Sequence, residues 1–137
     1  MQSQQNRTVS KGALWTGRGL SALVTLFLLL DAGMKIARAQ AAVEGTVKLG
    51  YSESVLVPIG VTLLICTILY AIPRTSALGA VLVTGYLGGA VATNVRAGLP
   101  LMGYILAPVY VGILAWLGLY LRSLAIRRVF PMLQEHL

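Results

Sequence analysis

The chain has 137 residues, of which 57% are hydrophobic and 11% charged, with a formal net charge of +7 and a mean hydropathy of +0.80. A soluble domain carries about 25% charged residues, and so short a chain has too little interior to hide this much apolar surface, so composition points to a bilayer. The basic residues stand singly or in pairs between apolar runs, with no basic patch interleaved with aromatics, so membrane lipid is the expected partner and nucleic acid is not.

The first apolar segment runs from Trp15 to Met34. It has the elements of a secretory signal: Arg7, Lys11 and Arg18 as a basic region, Leu20 to Leu30 as an apolar run, and Ala37-Arg38-Ala39 as a small-residue site. Asp31, Lys35 and Arg38 interrupt that pattern, and the segment is read as a true span. Twelve residues separate Arg18 from Asp31, about 18 Å of helix, which is too short to cross the hydrocarbon core. Arg18 can snorkel on its long stem, but Asp31 needs a partner. Lys35 lies four residues on in the favourable order, and Arg96 is the cross-helix alternative.

The link from Lys35 to Ser54 contains a short helical pattern. Val43 and Val47 lie one turn apart, Glu44 and Lys48 form an i,i+4 acid–base pair, and Gly50 stands where a helix would end. A short amphipathic helix at the membrane interface is expected. The second span, Val55 to Ile72, ends at Pro73-Arg74-Thr75, a tight turn in which Thr75 or Ser76 is placed to cap the third.

The third span, Ala77 to Val95, carries Gly85, Gly88 and Gly89 in five residues, each costing about 1 kcal/mol relative to alanine in a helix in water. Gly85 and Gly89 form a GxxxG pattern that Thr93 extends, a face on which two helix backbones can approach closely. That face can pack inside the bundle or against another subunit, and the internal contact is the expectation. The fourth span is Leu101 to Leu121. Trp15, Tyr70, Trp116 and Tyr120 fall at the same end of their spans, where an interfacial aromatic belt belongs.

Segments of this length must satisfy their own backbone in lipid, so the expected fold is an all-α integral membrane four-helix bundle, up-down-up-down, with the interfacial helix between the first and second spans. The expected organisation is a cytoplasmic segment 1–13, a transmembrane domain 14–122 and a cytoplasmic tail 123–137. With the N-terminus inside, Arg7, Lys11, Arg18, Arg74, Arg122, Arg127 and Arg128 face the cytoplasm, against Lys35, Arg38, Lys48 and Arg96 outside, which favours two cytoplasmic termini.

Asp31, Lys35, Glu44, Asn94 and Arg96 are brought to one end by this topology and form the candidate ligand-binding set, with Gly85, Gly89 and Thr93 as the candidate helix-packing set. Cys66 and His136 are the only cysteine and histidine. They supply no CxxC pair, no thiolate metal site and no pair of haem-ligating histidines. No catalytic residue, metal ligand or intrinsic cofactor is expected, and a quinone or a lipid is the ligand class left open.

The segment from Ile72 to Gly98 resembles the DoxX-like family of small four-helix bacterial membrane proteins. Pro73-Arg74-Thr75, Gly79-Ala80 and Thr84-Gly85-Tyr86-Leu87-Gly88-Gly89-Ala90 carry the likeness together. It extends to Asp31-Ala32-Gly33-Met34-Lys35-Ile36 and to the fourth span. The family's third span ends in a Thr-His-x-Arg element, which here reads Thr93-Asn94-Val95-Arg96. The resemblance implies a bacterial inner-membrane protein of the kind linked to quinone or thiol redox systems.

The expected function is a non-catalytic accessory or structural subunit of a membrane redox or energy-converting complex, partnered by other membrane subunits or a second copy. Held termini at Met1 and Leu137 would be a further sign of such a partner. The alternatives are a small proton- or cation-coupled transporter using Asp31 and a quinone-linked oxidoreductase component.

Overall fold

The computed structural model describes residues 10–129. The expectations for Met1, Arg7, His136 and Leu137, and for most of the segment 1–13 and the latter part of the tail 123–137, lie outside the described residues. Six α-helices follow in order: α1 (Lys11–Ile36), α2 (Gln40–Lys48), α3 (Leu56–Ala71), α4 (Ser76–Arg96), α5 (Ala107–Arg122) and α6 (Leu124–Val129). A 3₁₀ turn at Glu53–Val55 leads into α3, and a π-helical turn at Leu101–Ile105 precedes α5. With these turns included, four segments of 26, 19, 21 and 22 residues are long and apolar enough to cross a membrane. The expected all-α membrane bundle is what forms.

Each long helix buries one narrow stripe. On α1 it is Gly17, Ser21, Val24, Leu28 and Ala32, at steps of three or four residues. The opposite face, with Leu23, Leu26, Phe27 and Leu30 at 56–68% exposure, is apolar as well, as a lipid-facing surface requires. Helix α1 packs against α3 and α5, and α4 against α3 and α5, so the four spans close a square.

Tyr70, fully buried near the end of α3, joins the corners. Its hydroxyl donates to the Ala115 carbonyl of α5 at 2.7 Å and lies 3.1 Å from Ser21 Oγ of α1. Its carbonyl accepts from Ser76 Oγ at 2.9 Å and from Arg122 Nη2 at 3.2 Å, and the Arg122 guanidinium lies over its ring. Small residues allow this closeness. A Cβ on Gly79 would collide with the Tyr70 backbone, and one on Gly17 would come within 2.8 Å of the Gly118 carbonyl. On Gly60 it would meet Lys35 Cβ at the same distance.

Several local expectations are corrected. Thr75 and Ser76 do not cap α4 with their side chains. Thr75 Oγ1 donates back to Leu69 O and Ser76 Oγ to Tyr70 O and Ile72 O, because the last carbonyls of α3 have lost their helical donors at Pro73. Of the four supposed belt aromatics, Tyr70 is a core residue and Tyr120 is 9% exposed, while Trp15 remains 68% exposed beneath Arg18. In α2 it is Thr46, rather than Val47, that is buried beside α1 and α3. Gly50 does end that helix, in the left-handed conformation at φ +89, and Gly98 does the same for α4 at φ +70.

Three substitutions test the packing. Tyr70→Phe is expected to lower stability by about 1 kcal/mol through the lost buried hydroxyl contacts. Gly79→Ala should cost more, about 3 kcal/mol, since backbone rather than side chain must move. Gly85→Ala, where a Cβ meets nothing within 4 Å, should leave thermal unfolding in detergent unchanged or raise it.

Candidate functional site

The predicted polar residues gather at the end of the bundle that carries α2, and their pairings are mostly structural. Lys35 Nζ donates to Asp31 Oδ1, one turn apart on α1, as the i,i+4 spacing favours. The Lys35 side chain is 17% exposed and that of Asp31 39%. Arg96 is exposed in the last turn of α4 and makes no ion pair or hydrogen bond among the described residues, so Lys35 is the partner Asp31 uses. Glu44 is exposed and accepts from Gln40 Nε2 at 3.1 Å, in place of the expected pair with Lys48.

Asn94 has a specific task. Pro108 has no N–H, so the Tyr104 carbonyl four residues earlier loses its normal helical donor. Asn94 Nδ2 reaches across from α4 and donates to that carbonyl at 2.7 Å. The same proline accounts for the break in the fourth span, where the π-helical turn gives way to α5. One residue back on α4, Thr93 Oγ1 lies 3.0 Å from the Tyr51 hydroxyl, which ties the helix to the segment following α2.

Gly85 and Gly89 do not make the expected contact within the chain. A Cβ at either would meet nothing within 4 Å, and the same holds for Gly88. The glycines that bring helices together are Gly17, Gly60, Gly79 and Gly118. Gly17 and Ser21 make a small-xxx-small pair on α1 that could have been read from the sequence as a packing face.

Two further residues were not singled out by the sequence pattern. Tyr86 of α4 is partly buried and packs against the core cluster. Arg122 sits at the opposite end among α3, α4 and α5, its Nη2 bonded to Tyr70 O and Ser76 Oγ and its Nε buried without a hydrogen-bond partner. Among the described residues no group of three or more His, Cys, Asp or Glu is placed to hold a metal ion.

Four membrane-length helices closed into a square, with ion-paired and backbone-capping polar residues at one end, define a multi-pass α-helical membrane protein. The sequence model of the DoxX-like family matches residues 19–118, and the chain belongs to that family. Neither a curated protein nor a solved structure matches it.

The role of Asn94 is open to direct measurement. Asn94→Ala is expected to lower thermal stability by about 1 kcal/mol by orphaning the Tyr104 carbonyl. The matching change Pro108→Ala, which restores a helical donor, should recover part of the loss in the double variant.

Proposed function

We propose that this chain is a non-catalytic structural subunit that seats a partner transmembrane helix. The observation that carries this reading is how the polar residues of the α2 end are used. Asp31 is neutralised by Lys35, Asn94 caps the Tyr104 carbonyl, and Thr93 meets Tyr51. These groups fix helix register, a task for which intramembrane polar residues are suited.

The surface that would receive a partner is the α4 face carrying Gly85 and Gly89, exposed and unused by the chain itself. A glycine ladder allows a second helix to approach to backbone contact. The redox or energy-converting character of the complex rests on what the family resemblance implies.

A second reading, a small proton- or cation-coupled transporter, is favoured by one observation. The Asp31 side chain keeps 39% of its surface exposed. Its position near the end of α1, rather than at mid-membrane, weighs against it.

The two readings separate on two variants. Gly85→Leu with Gly89→Leu should reduce the partner or second copy that co-purifies in mild detergent by about tenfold, equivalent to about 1.4 kcal/mol. The bundle itself should keep its unfolding temperature. Asp31→Asn should lower stability by leaving the Lys35 charge half-buried and unpaired. Retained assembly with abolished substrate-coupled cation flux in Asp31→Asn would establish the transporter instead.

The charge distribution supports a bacterial inner-membrane orientation with both termini cytoplasmic. Among the described residues, Lys11, Arg18, Arg74, Arg122, Arg127 and Arg128 lie at the α6 end with no acidic residue. The α2 end has Lys35, Arg38, Lys48 and Arg96 together with Asp31, Glu44 and Glu53. In a Cys66→Ser background, Arg38→Cys should react with a membrane-impermeant maleimide on intact cells and Arg74→Cys should not. The reverse pattern would invert the topology.

A further inference from the structure

Helix α4 is joined to the fourth span at Thr84–Trp116 and again at Asn94–Tyr104, and between these points their outward surfaces stay open. The buried stripe of α4 ends at Leu87, and that of α5 begins at Ala115. Where they part, small residues leave a groove of about 860 Å³, a size typical of a ligand site. Its wall includes Gly88 and Val91 of α4 and Pro108 and Gly112 of α5, and Ile126 of α6 closes one end. The lining is almost wholly carbon. Of the polar side chains among the wall residues, Thr84 and Trp116 are turned to each other, with Trp116 Nε1 donating to Thr84 Oγ1 at 2.7 Å while Thr84 Oγ1 donates to Ala80 O.

The groove ends at fixed positive charge. Arg127 folds back along α5, with Nε 2.9 Å from Tyr120 O and Nη2 3.0 Å from Leu121 O, and its guanidinium lies over the Tyr120 ring. The side chains of Tyr120 and Leu121 are themselves part of the groove wall. Arg128 follows, exposed, and no acidic residue lies at this end among the described residues. Among the described residues nothing supplies the negative charge these arginines attract.

We propose that the α4–α5 groove holds one acyl chain of an anionic membrane phospholipid whose phosphate is bound by Arg127 and Arg128. A carbon-lined groove matches a hydrocarbon chain, and Arg127, held beside the wall residues Tyr120 and Leu121, with Arg128 next in sequence, matches a phosphate. A quinone head group would need polar partners within the wall, and the Thr84 and Trp116 groups there already bond each other. The site lies on a different face of α4 from Gly85 and Gly89, so it stands or falls apart from the subunit reading.

The test is native mass spectrometry of the purified, delipidated full chain titrated with phosphatidylglycerol or phosphatidylcholine of identical acyl chains. The unaltered chain is expected to retain one phosphatidylglycerol at about tenfold lower lipid concentration than phosphatidylcholine. Arg127→Gln with Arg128→Gln should erase that preference and leave phosphatidylcholine binding in place. Gly88→Leu, whose side chain would enter the groove without meeting protein atoms at Cβ, should weaken both lipids. If the double arginine variant does not fold, raising the salt on the unaltered chain should selectively weaken phosphatidylglycerol. Equal affinity for the two lipids in the unaltered chain, binding that survives Gly88→Leu, or displacement by an equimolar quinone would each overturn the proposal.

Discussion

The bundle depends on Tyr70. A phenol hydroxyl in a dry helical interior has to find partners, and this one does so across the centre of the square, at the Ala115 carbonyl of α5 and Ser21 of α1. The backbone of the same residue, at the end of α3, receives Ser76 of α4 and Arg122 of α5. One residue thereby links all four spans, and the glycines around it follow from that demand. Gly79 is required where α4 turns back against the Tyr70 backbone, and Gly17 and Gly118 where α1 and α5 close around Ser21. In a bilayer, where apolar surface gives little drive for helix association, close packing and internal hydrogen bonds of this kind carry the fold.

The two ends of the bundle answer different physical problems. At the α2 end, polar side chains repair what the sequence disrupts, since Pro108 orphans a carbonyl that Asn94 satisfies and Lys35 neutralises Asp31. The Asn94 amide is thereby tied to the backbone of the fourth span. At the α6 end, arginines outnumber every counter-charge among the described residues, and backbone carbonyls hold Arg122 and Arg127 in place. Balanced charge at one end and unopposed positive charge at the other give the molecule its polarity across the membrane.

Much of the architecture was legible because it is local. Apolar runs of membrane length specify helices, since no other open structure satisfies the backbone in lipid. The Asp31–Lys35 pair and the left-handed stop at Gly50 also follow from spacing along a single helix. Other readings failed where the deciding partner lay far along the chain. Tyr70 looked like an interfacial aromatic because its sequence position is near a helix end, but Ser21 and Ala115 take it into the core. Gly85 and Gly89 looked like the internal packing face, yet the helices meet through Gly17, Gly60, Gly79 and Gly118.

The sequence by itself determined the solvent, the number of spans, their alternating direction and the family, because hydrophobic length and short connections leave few alternatives. Tertiary structure alone decided which glycines are spent on contact and which remain open. It also gave Asn94 its carbonyl and parted α4 from α5 to leave a groove ending at Arg127. Those outcomes depend on the rotation of each helix about its own axis. In a chain apolar on every face, periodicity gives that rotation only weakly, and it is fixed by the long-range hydrogen bonds and close backbone approaches of the closed bundle.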